Sequence, residues 1–178
     1  MQDNWYQRCY RRVLVDMHIP DCDERFLARL DPAEYVETIA SGGITSTMLY
    51  CVSHVGLALY PSKVGPVHAA LRGKDFVGEV MRHCQQREIA VVAYYSAVYN
   101  NAIFLREPGW RIRPLEGEAV YESSRYGVCC PNSPYRDFAV AQTEELCRAY
   151  PFNGIFFDML FWPYVCYCDY CRARFERE

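Results

Sequence analysis

Four short apolar runs punctuate the chain: Val13-Leu14-Val15 leading into Asp16-Met17-His18, Thr47-Met48-Leu49-Tyr50, residues 90–96, and Ile155-Phe156-Phe157 ending on Asp158. Each is dense in β-branched or aromatic residues and none alternates cleanly, which is the pattern of parallel strands covered on both faces. Stretches with helical spacing lie between them. Asp31 followed by Pro32 has the form of an N-cap with proline at the first helical position; Tyr35, Val36 and Ile39 then share a stripe, and Gly42 and Gly43 stop it. Residues 74–87 place Phe76, Val77, Val80, Met81 and Cys84 at helical spacing. A third helix is predicted from Ser133 and Pro134 to about Tyr150, with Phe138, Ala141, Leu146 and Ala149 toward its apolar side, and a fourth opens at residues 172–175.

The order is β-α-β-α-β-α-β-α, the repeat of a parallel α/β protein with right-handed crossovers. Two architectures compete. A doubly wound sheet closes with about four or five strands, whereas a TIM (β/α)8 barrel takes eight units and about 250 residues. Segments that follow the strands are long, 51–73 and 97–133, and those that precede them are short, 41–43 and 151–153. Long decorations at the C-terminal ends of strands are typical of barrel enzymes, and no G-x-G-x-x-G or Walker sequence follows the first run. The reading is therefore the first four β/α units of a TIM (β/α)8 barrel: a half barrel and truncated chain, with residues 1–178 one partial catalytic domain. No internal repeat, linker or low-complexity segment marks a second domain.

Composition then narrows the function classes. A chain of 178 residues that is 51% apolar can bury a core and lacks the composition of a disordered segment. Its net charge of -3 and the short basic pair Arg11 and Arg12 give no field toward phosphate backbones, so nucleic acid is not an expected partner. No apolar run approaches the roughly 20 residues of a membrane span, and residues 1–12 have no signal-peptide core; the expectation is a cytoplasmic protein with no membrane partner. Among the ten cysteines, Cys51, Cys84 and Cys147 sit in apolar patterns and read as small buried hydrophobes. Cys129 with Cys130, and the group Cys166, Cys168 and Cys171, stand apart.

Candidate chemistry gathers at the predicted strand ends. The strand period of two turns Asp16 and His18 to one side, pairs Tyr94 with Ser96, and pairs Phe156 with Asp158. If those faces share a barrel mouth, His18, Tyr94, Ser96 and Asp158 converge. Each alone also has a structural reading, an Asp capping a loop or a His satisfied in the core; it is their repetition at several strand ends that favours function. Aromatic residues crowd the same end, with Phe161, Trp162, Tyr164 and Tyr167 after Asp158 and Tyr94, Tyr95 and Tyr99 on and after the third run. Sugars present C–H faces that stack on such rings and hydroxyls that need His, Asn, Tyr and Asp partners, so a carbohydrate pocket fits the mixture. Separately, Cys166, Cys168 and Cys171 are spaced C-x-C-x2-C, part of a zinc pattern, and Cys130 on the preceding long loop is a candidate fourth ligand. The alternative is thiols that pack, reduced or able to form a disulfide. No cofactor is needed for the catalysis considered; structural zinc is the metal the pattern suggests.

Residues 11–21, 60–65, 74–96, 130–138 and 154–175, in that order, resemble the N-terminal half of the catalytic barrel in the hypothetical glycosyl hydrolase family six proteins, bacterial glycosidases related to the family 29 α-L-fucosidases. The resemblance spans residues 11–178, and the linked motifs are more specific than any one of them. It implies a retaining glycoside hydrolase acting on a terminal sugar, such as a fucoside or galactoside, of an oligosaccharide or glycoside. Fucosidases place their nucleophilic Asp at the end of the fourth barrel strand in a pattern like W-F-D-G, and Phe157-Asp158 occupies that place, which implies Asp158 as the nucleophile. Their paired histidines followed by Asp-Gly correspond to Ser53-His54-Val55-Gly56, so His54 matches one histidine and the second is absent. His18 is similar to a first-strand histidine that contacts the sugar. With His54, Tyr94, Ser96 and Trp162 it makes up the expected substrate-binding set.

A retaining enzyme also needs a second carboxyl about 5 to 5.5 Å from the first, as acid/base. The resemblance puts it beyond residue 178, and Glu116, Glu118 and Glu122 read as a solvated acidic loop. Two other functions stay open. One is a catalytically silent half barrel whose open edges pair with another copy, giving a homo-oligomer, and the other is a carbohydrate-binding module built on the aromatic loops.

Overall fold

The computed structural model describes residues 4–23, 25–116 and 126–178. Strands β1 (Arg12–Leu14), β2 (Ser46–Val52), β3 (Ala90–Ser96) and β4 (Gly154–Asp158) form one parallel sheet in the order β1-β2-β3-β4. Helices α1 (Trp5–Arg8), α2 (Pro32–Ser41), α3 (Phe76–Gln86), α4 (Asn101–Arg106), α5 (Tyr135–Ala149) and α6 (Asp169–Phe175) accompany it. Every strand is added on the same side of the one before, and right-handed crossovers then put α2, α3 and α5 on one face. A doubly wound sheet would reverse its direction of growth, and this sheet does not.

Local chemistry starts and stops the helices. Asp31 Oδ1 accepts from the Glu34 N–H at 2.9 Å with Pro32 opening α2, and Gly43 ends it at φ 68°. At the start of α3, Asp75 Oδ1 accepts from the Gly78 N–H and from the Tyr150 hydroxyl, both at 2.8 Å, which ties the end of α5 to the cap. Glu145 on α5 accepts from the Ser62 hydroxyl at 2.6 Å, the Lys63 N–H at 2.7 Å and the Tyr60 hydroxyl at 3.2 Å. The 60–65 motif is thereby a clasp between the β2–α3 loop and α5.

Register separates the two faces of the sheet. Thr47, Leu49, Val91, Ala93 and Tyr95 are all buried, in a core shared with Val36, Ile39, Phe76, Val80 and Leu146 of the helices. The intervening positions form cross-strand rows, Leu14, Met48, Val92 and Gly154 in one and Tyr50, Tyr94 and Phe156 in the next. Leu14 and Phe156 of those rows are 46% and 41% exposed. On this face Tyr50 and Tyr94 are buried, and in these rows only the edge-strand residues Leu14 and Phe156 stand exposed. Among the described residues the two-sided covering expected from the apolar runs is thus met in the central strands but not at the edges, since all the crossover helices lie on the other face.

Four further differences separate the structure from the sequence expectation. Strand β1 ends at Leu14, so alternation does not carry through to residue 18: Asp16 turns outward while His18 is tucked in. The buried side of α5 is Tyr135, Phe138, Gln142 and Leu146, and Ala141 and Ala149 are exposed. Gln142 takes the core place because its Oε1 accepts from the buried Tyr95 hydroxyl at 3.0 Å, and Gly65 leaves room for the amide. Cys147 and Cys22 are exposed, unlike Cys51 and Cys84. Helices α1 and α4 were not predicted; both are too short to show a periodic stripe.

Tyr60, Tyr94, Tyr95, Tyr135 and Tyr150 all have their ionisation pushed well up, with burial the leading cause in each. A phenol shifted upward in the folded state stabilises the fold fully below the unfolded value of about 10 and progressively less above it. Raising the pH past about 10 is therefore expected to unfold the chain, with phenolate absorbance of these tyrosines appearing together with loss of helical circular dichroism. Their gradual ionisation on an intact fold is the contrary result.

Candidate active site

Polar residues at or just after the C-terminal ends of β1 to β4 meet on the side of the sheet away from α2, α3 and α5. Register sets Ser96 of β3 beside Asp158 of β4, one step beyond the Tyr50, Tyr94 and Phe156 row. The Asp158 side chain is 30% exposed. Its Oδ1 accepts from the Met159 N–H at 2.9 Å, and its Oδ2 accepts from the Tyr94 hydroxyl. Met159 holds this turn in the left-handed region, φ 54°, a conformation costing a non-glycine residue about 1 kcal/mol. Burial, and then the bond to Asp158, drive the Tyr94 phenol well above its ordinary ionisation range, so it stays a neutral donor.

His54 arrives from the turn after β2. A bulge at Cys51 shifts the β2 register, the Ser53 carbonyl accepts from the Gly56 N–H at 2.9 Å, and Gly56 turns at φ 84°. A Cβ on Gly56 would lie 2.0 Å from Asn100 Oδ1, so only glycine fits here. The first turn of α4 then donates into this loop, Asn101 N–H to the His54 carbonyl at 2.9 Å and Ala102 N–H to that of Val55 at 3.0 Å. Asn100 caps α4 by accepting from the Ile103 N–H at 3.0 Å.

Proton positions follow from what each partner can do. The Ser96 hydroxyl donates to the Tyr99 carbonyl at 2.6 Å, so its Oγ, 2.7 Å from His54 Nδ1, must accept, and Nδ1 carries a hydrogen. His54 Nε2 faces Asp158 Oδ2 at 3.7 Å, an arrangement attractive when the ring is an imidazolium. His18 is the reverse case. Its Nδ1 accepts from the His54 N–H at 3.3 Å, which leaves the hydrogen on Nε2 to donate to the Tyr50 hydroxyl at 3.3 Å. The two imidazoles lie 4.1 Å apart, and Tyr50 stacks on Tyr94 at 3.9 Å.

The structure thus brings His18, His54, Tyr94, Ser96 and Asp158 into one network. It does not bring Trp162 there. That ring is half-exposed and lines a separate hollow of about 590 Å³ with Tyr164, Cys166 and Phe175. The neighbouring Phe161 reaches the network instead, through Tyr99 at 6.1 Å, and Tyr99 and Tyr126 flank His54 at 5.6 and 6.2 Å. Sequence reasoning passed over Tyr50 and Tyr126 as site residues. Tyr50 could have been found by aligning the C-terminal ends of the runs, since it faces Tyr94; nothing local marks Tyr126. Asp16 also touches the network, 3.9 Å from His18 Nε2. Glu116 is exposed, and Glu118 and Glu122 lie outside the described residues. Cys130, Cys166, Cys168 and Cys171 meet in a cluster of their own, their sulfurs all within 4.8 Å of one another.

Residues 31–159 match the family model described as Hypothetical glycosyl hydrolase 6. The chain belongs to this family. None of the curated proteins matches it. Alpha-L-fucosidase isoenzyme 2 from Paenibacillus thiaminolyticus is similar with a TM-score of 0.82 at 23% identity, over 94% of this chain and 26% of that one. A hypothetical protein from Ruminiclostridium thermocellum gives a TM-score of 0.59 at 16% identity, over 75% of this chain and 71% of that one. A Thermotoga maritima alpha-fucosidase in complex with a mechanism-based inhibitor gives 0.55 at 23%, over 74% and 29%. At these identities the likeness is one of fold, a parallel α/β sheet similar to that of fucosidase catalytic domains. This glycosyl hydrolase 6 chain spans about a quarter of the length of the Paenibacillus enzyme. Among the described residues no helix is long and apolar enough to cross a membrane.

For this family member, nitrogen NMR of the imidazoles at neutral pH is expected to show His18 with its hydrogen on Nε2 alone and His54 with hydrogen on Nδ1. Ser96→Ala is expected to free the His54 Nδ1 hydrogen to exchange faster with solvent. A His18 ring bearing hydrogen on Nδ1 would contradict the network.

Proposed function

We propose that this chain supplies the first four β/α units of a (β/α)8 barrel and, in Asp158, the nucleophile of a retaining glycosidase that removes a terminal sugar such as a fucoside or galactoside. The observation that carries the proposal is Asp158 itself: a part-exposed carboxylate at the C-terminal end of β4, supported by a backbone N–H, a neutral phenol and an imidazole. Catalytic groups of parallel barrels stand at that end of the strands. Family membership and the one-way growth of the sheet support the barrel, and Leu14 and Phe156, exposed in the two edge strands, are positions that further strands would cover.

In this mechanism a carboxylate oxygen of Asp158 bonds to the anomeric carbon as the glycosidic C–O bond breaks, and the departing oxygen takes a proton from a second carboxyl about 5 to 5.5 Å away. Water, deprotonated by that same group, then attacks the anomeric carbon and releases Asp158. The second carboxyl is assigned to the strands completing the barrel. Tyr94 and the Met159 N–H hold the attacking group in place by hydrogen bonds, while His18 and His54 offer hydrogen bonds to sugar hydroxyls. Ser96, fully buried with its hydroxyl committed to Tyr99, acts on the sugar through His54. In the gene product carrying these residues, Asp158→Asn is expected to lower aryl-glycoside hydrolysis on the order of 10³-fold or more, a loss of about 4 kcal/mol of transition-state stabilisation. Turnover unchanged by the substitution defeats the assignment.

A second reading, a half barrel without turnover completed by another copy, is favoured by the edges. Among the described residues β1 and β4 each pair on one side only, and Leu14, Phe156 and Phe157 are exposed along them. Sedimentation of the 178-residue chain is expected to show a dimer or larger species under this reading, and a stable monomer counts against it.

A further inference from the structure

Away from Asp158, the chain gathers four thiols from two loops and a helix. Cys130 follows the short pairing of Arg111 with Cys129 in the long β3–α5 segment, Cys166 and Cys168 lie in the β4–α6 loop, and Cys171 is in α6. All four sulfurs lie within 4.8 Å of one another, with Cys130 Sγ 3.4 Å from that of Cys171 and 3.6 Å from that of Cys168. A tetrahedral ion with metal–sulfur bonds of about 2.3 Å spaces its sulfurs about 3.8 Å apart. A disulfide needs about 2.05 Å and satisfies only two thiols. An iron–sulfur cluster would set a cage of iron and sulfide between the thiolates and hold them farther apart than a single ion does.

The surroundings suit thiolates. The Arg113 N–H approaches Cys166 Sγ at 3.5 Å, and the Asn132 amide donates to Cys171 Sγ at 3.4 Å while its Oδ1 accepts from Arg174 at 3.1 Å. Donors of this kind orient metal-bound sulfur and spread its charge. Four thiolates around a divalent ion leave two net negative charges, and Arg113 in the β3–α5 segment with Arg172 and Arg174 in α6 stand on the same segments to offset them. Cys130 and Cys168 are buried in a small apolar cluster with Val98, Ile112 and Val128, which keeps water from the sulfurs.

We infer that Cys130, Cys166, Cys168 and Cys171 form a structural tetrathiolate site for one zinc ion, which clamps the β3–α5 segment to the β4–α6 loop. Four soft ligands with no position for water fit a closed, non-catalytic zinc site. Its consequence reaches the candidate active site through Tyr99. That residue packs against the same apolar cluster, its carbonyl accepts a hydrogen bond from the Ser96 hydroxyl, and its ring lies beside His54. The site thus braces the wall beside Asp158 without joining the chemistry.

The test uses the whole chain, purified without chelator. Metal analysis is expected to find about one zinc per chain, and cobalt substitution to give the ligand-field absorption of a tetrahedral tetrathiolate. Cys168→Ser is expected to abolish both, whereas Cys22→Ser, at an exposed position, keeps them. If Cys168→Ser does not fold, alkylation of the unmodified protein decides. Cys166 and Cys171 are only half-buried, so a chelator is expected to raise their reactivity at least tenfold while leaving the exposed Cys147 unchanged. Folded protein with well under one zinc, alkylation unaffected by chelator, iron in place of zinc, or a mapped Cys130–Cys171 disulfide overturns the inference.

Discussion

A parallel sheet that grows in one direction sends all its crossover helices to one face, and the rest of this structure depends on that constraint. With α2, α3 and α5 committed to the side of Leu49, Val91 and Tyr95, the opposite side holds only what the strands present. Along the strand direction those positions pass from the apolar row of Leu14, Met48 and Val92, through the Tyr50 and Tyr94 row, to Ser96 and Asp158. Polarity therefore rises toward the C-terminal ends. A carboxylate there keeps contact with water, whereas the same group two rows lower would lie among apolar side chains.

Precision at the site comes less from the strands than from short connections. His54 is not on a strand; its place is set by the bulge at Cys51, the left-handed Gly56 and the first N–H groups of α4. Helix α4 spends its otherwise unsatisfied first donors on the carbonyls of His54 and Val55, so a six-residue helix with little stability of its own is locked by the loop it serves. Met159 does the equivalent for Asp158, its strained φ turning the backbone N–H back onto the carboxylate. These are local departures from regular structure, and they cluster where the network is densest.

Much of this was legible in the chain. The four runs matched the four strands because buried parallel strands need contiguous apolar residues, and Asp31-Pro32 and Phe76 to Cys84 foretold their helices because caps and stripes are local signals. Linked motifs pointed to the family, and the convergence of His18, Tyr94, Ser96 and Asp158 was foreseen from strand parity, although for His18 the parity argument fails since β1 ends at Leu14. What parity could not supply was tertiary. Gln142 lies on the buried side of α5 in preference to Ala141 because a distant phenol, Tyr95, needs an acceptor. Trp162 faces a different hollow, which it lines together with Cys166 and Cys171 of the cysteine cluster.

The turn at His54, where the second fucosidase-type histidine is absent, also fixes its neighbour Val55. Val55 is buried, its carbonyl accepts from the Ala102 N–H, and its side chain offers neither donor nor acceptor. A polar side chain in that place would need its own partner inside the turn that Gly56 and Asn100 already fill. In the proposed glycosidase, hydroxyl recognition on this side would rest on the His18 and His54 pair, whose rings are 4.1 Å apart and hold their hydrogens on opposite nitrogens. Because His18 spends Nδ1 on the His54 backbone and Nε2 on Tyr50, its freedom to meet a sugar is coupled to both. A ligand that draws the Nε2 hydrogen away from Tyr50 acts on the phenol stacked against Tyr94, and so on the donor that holds Asp158. In the proposed glycosidase, contact of a sugar with His18 would in this way reach the donor beside Asp158 through three side chains, with no motion of the strands required.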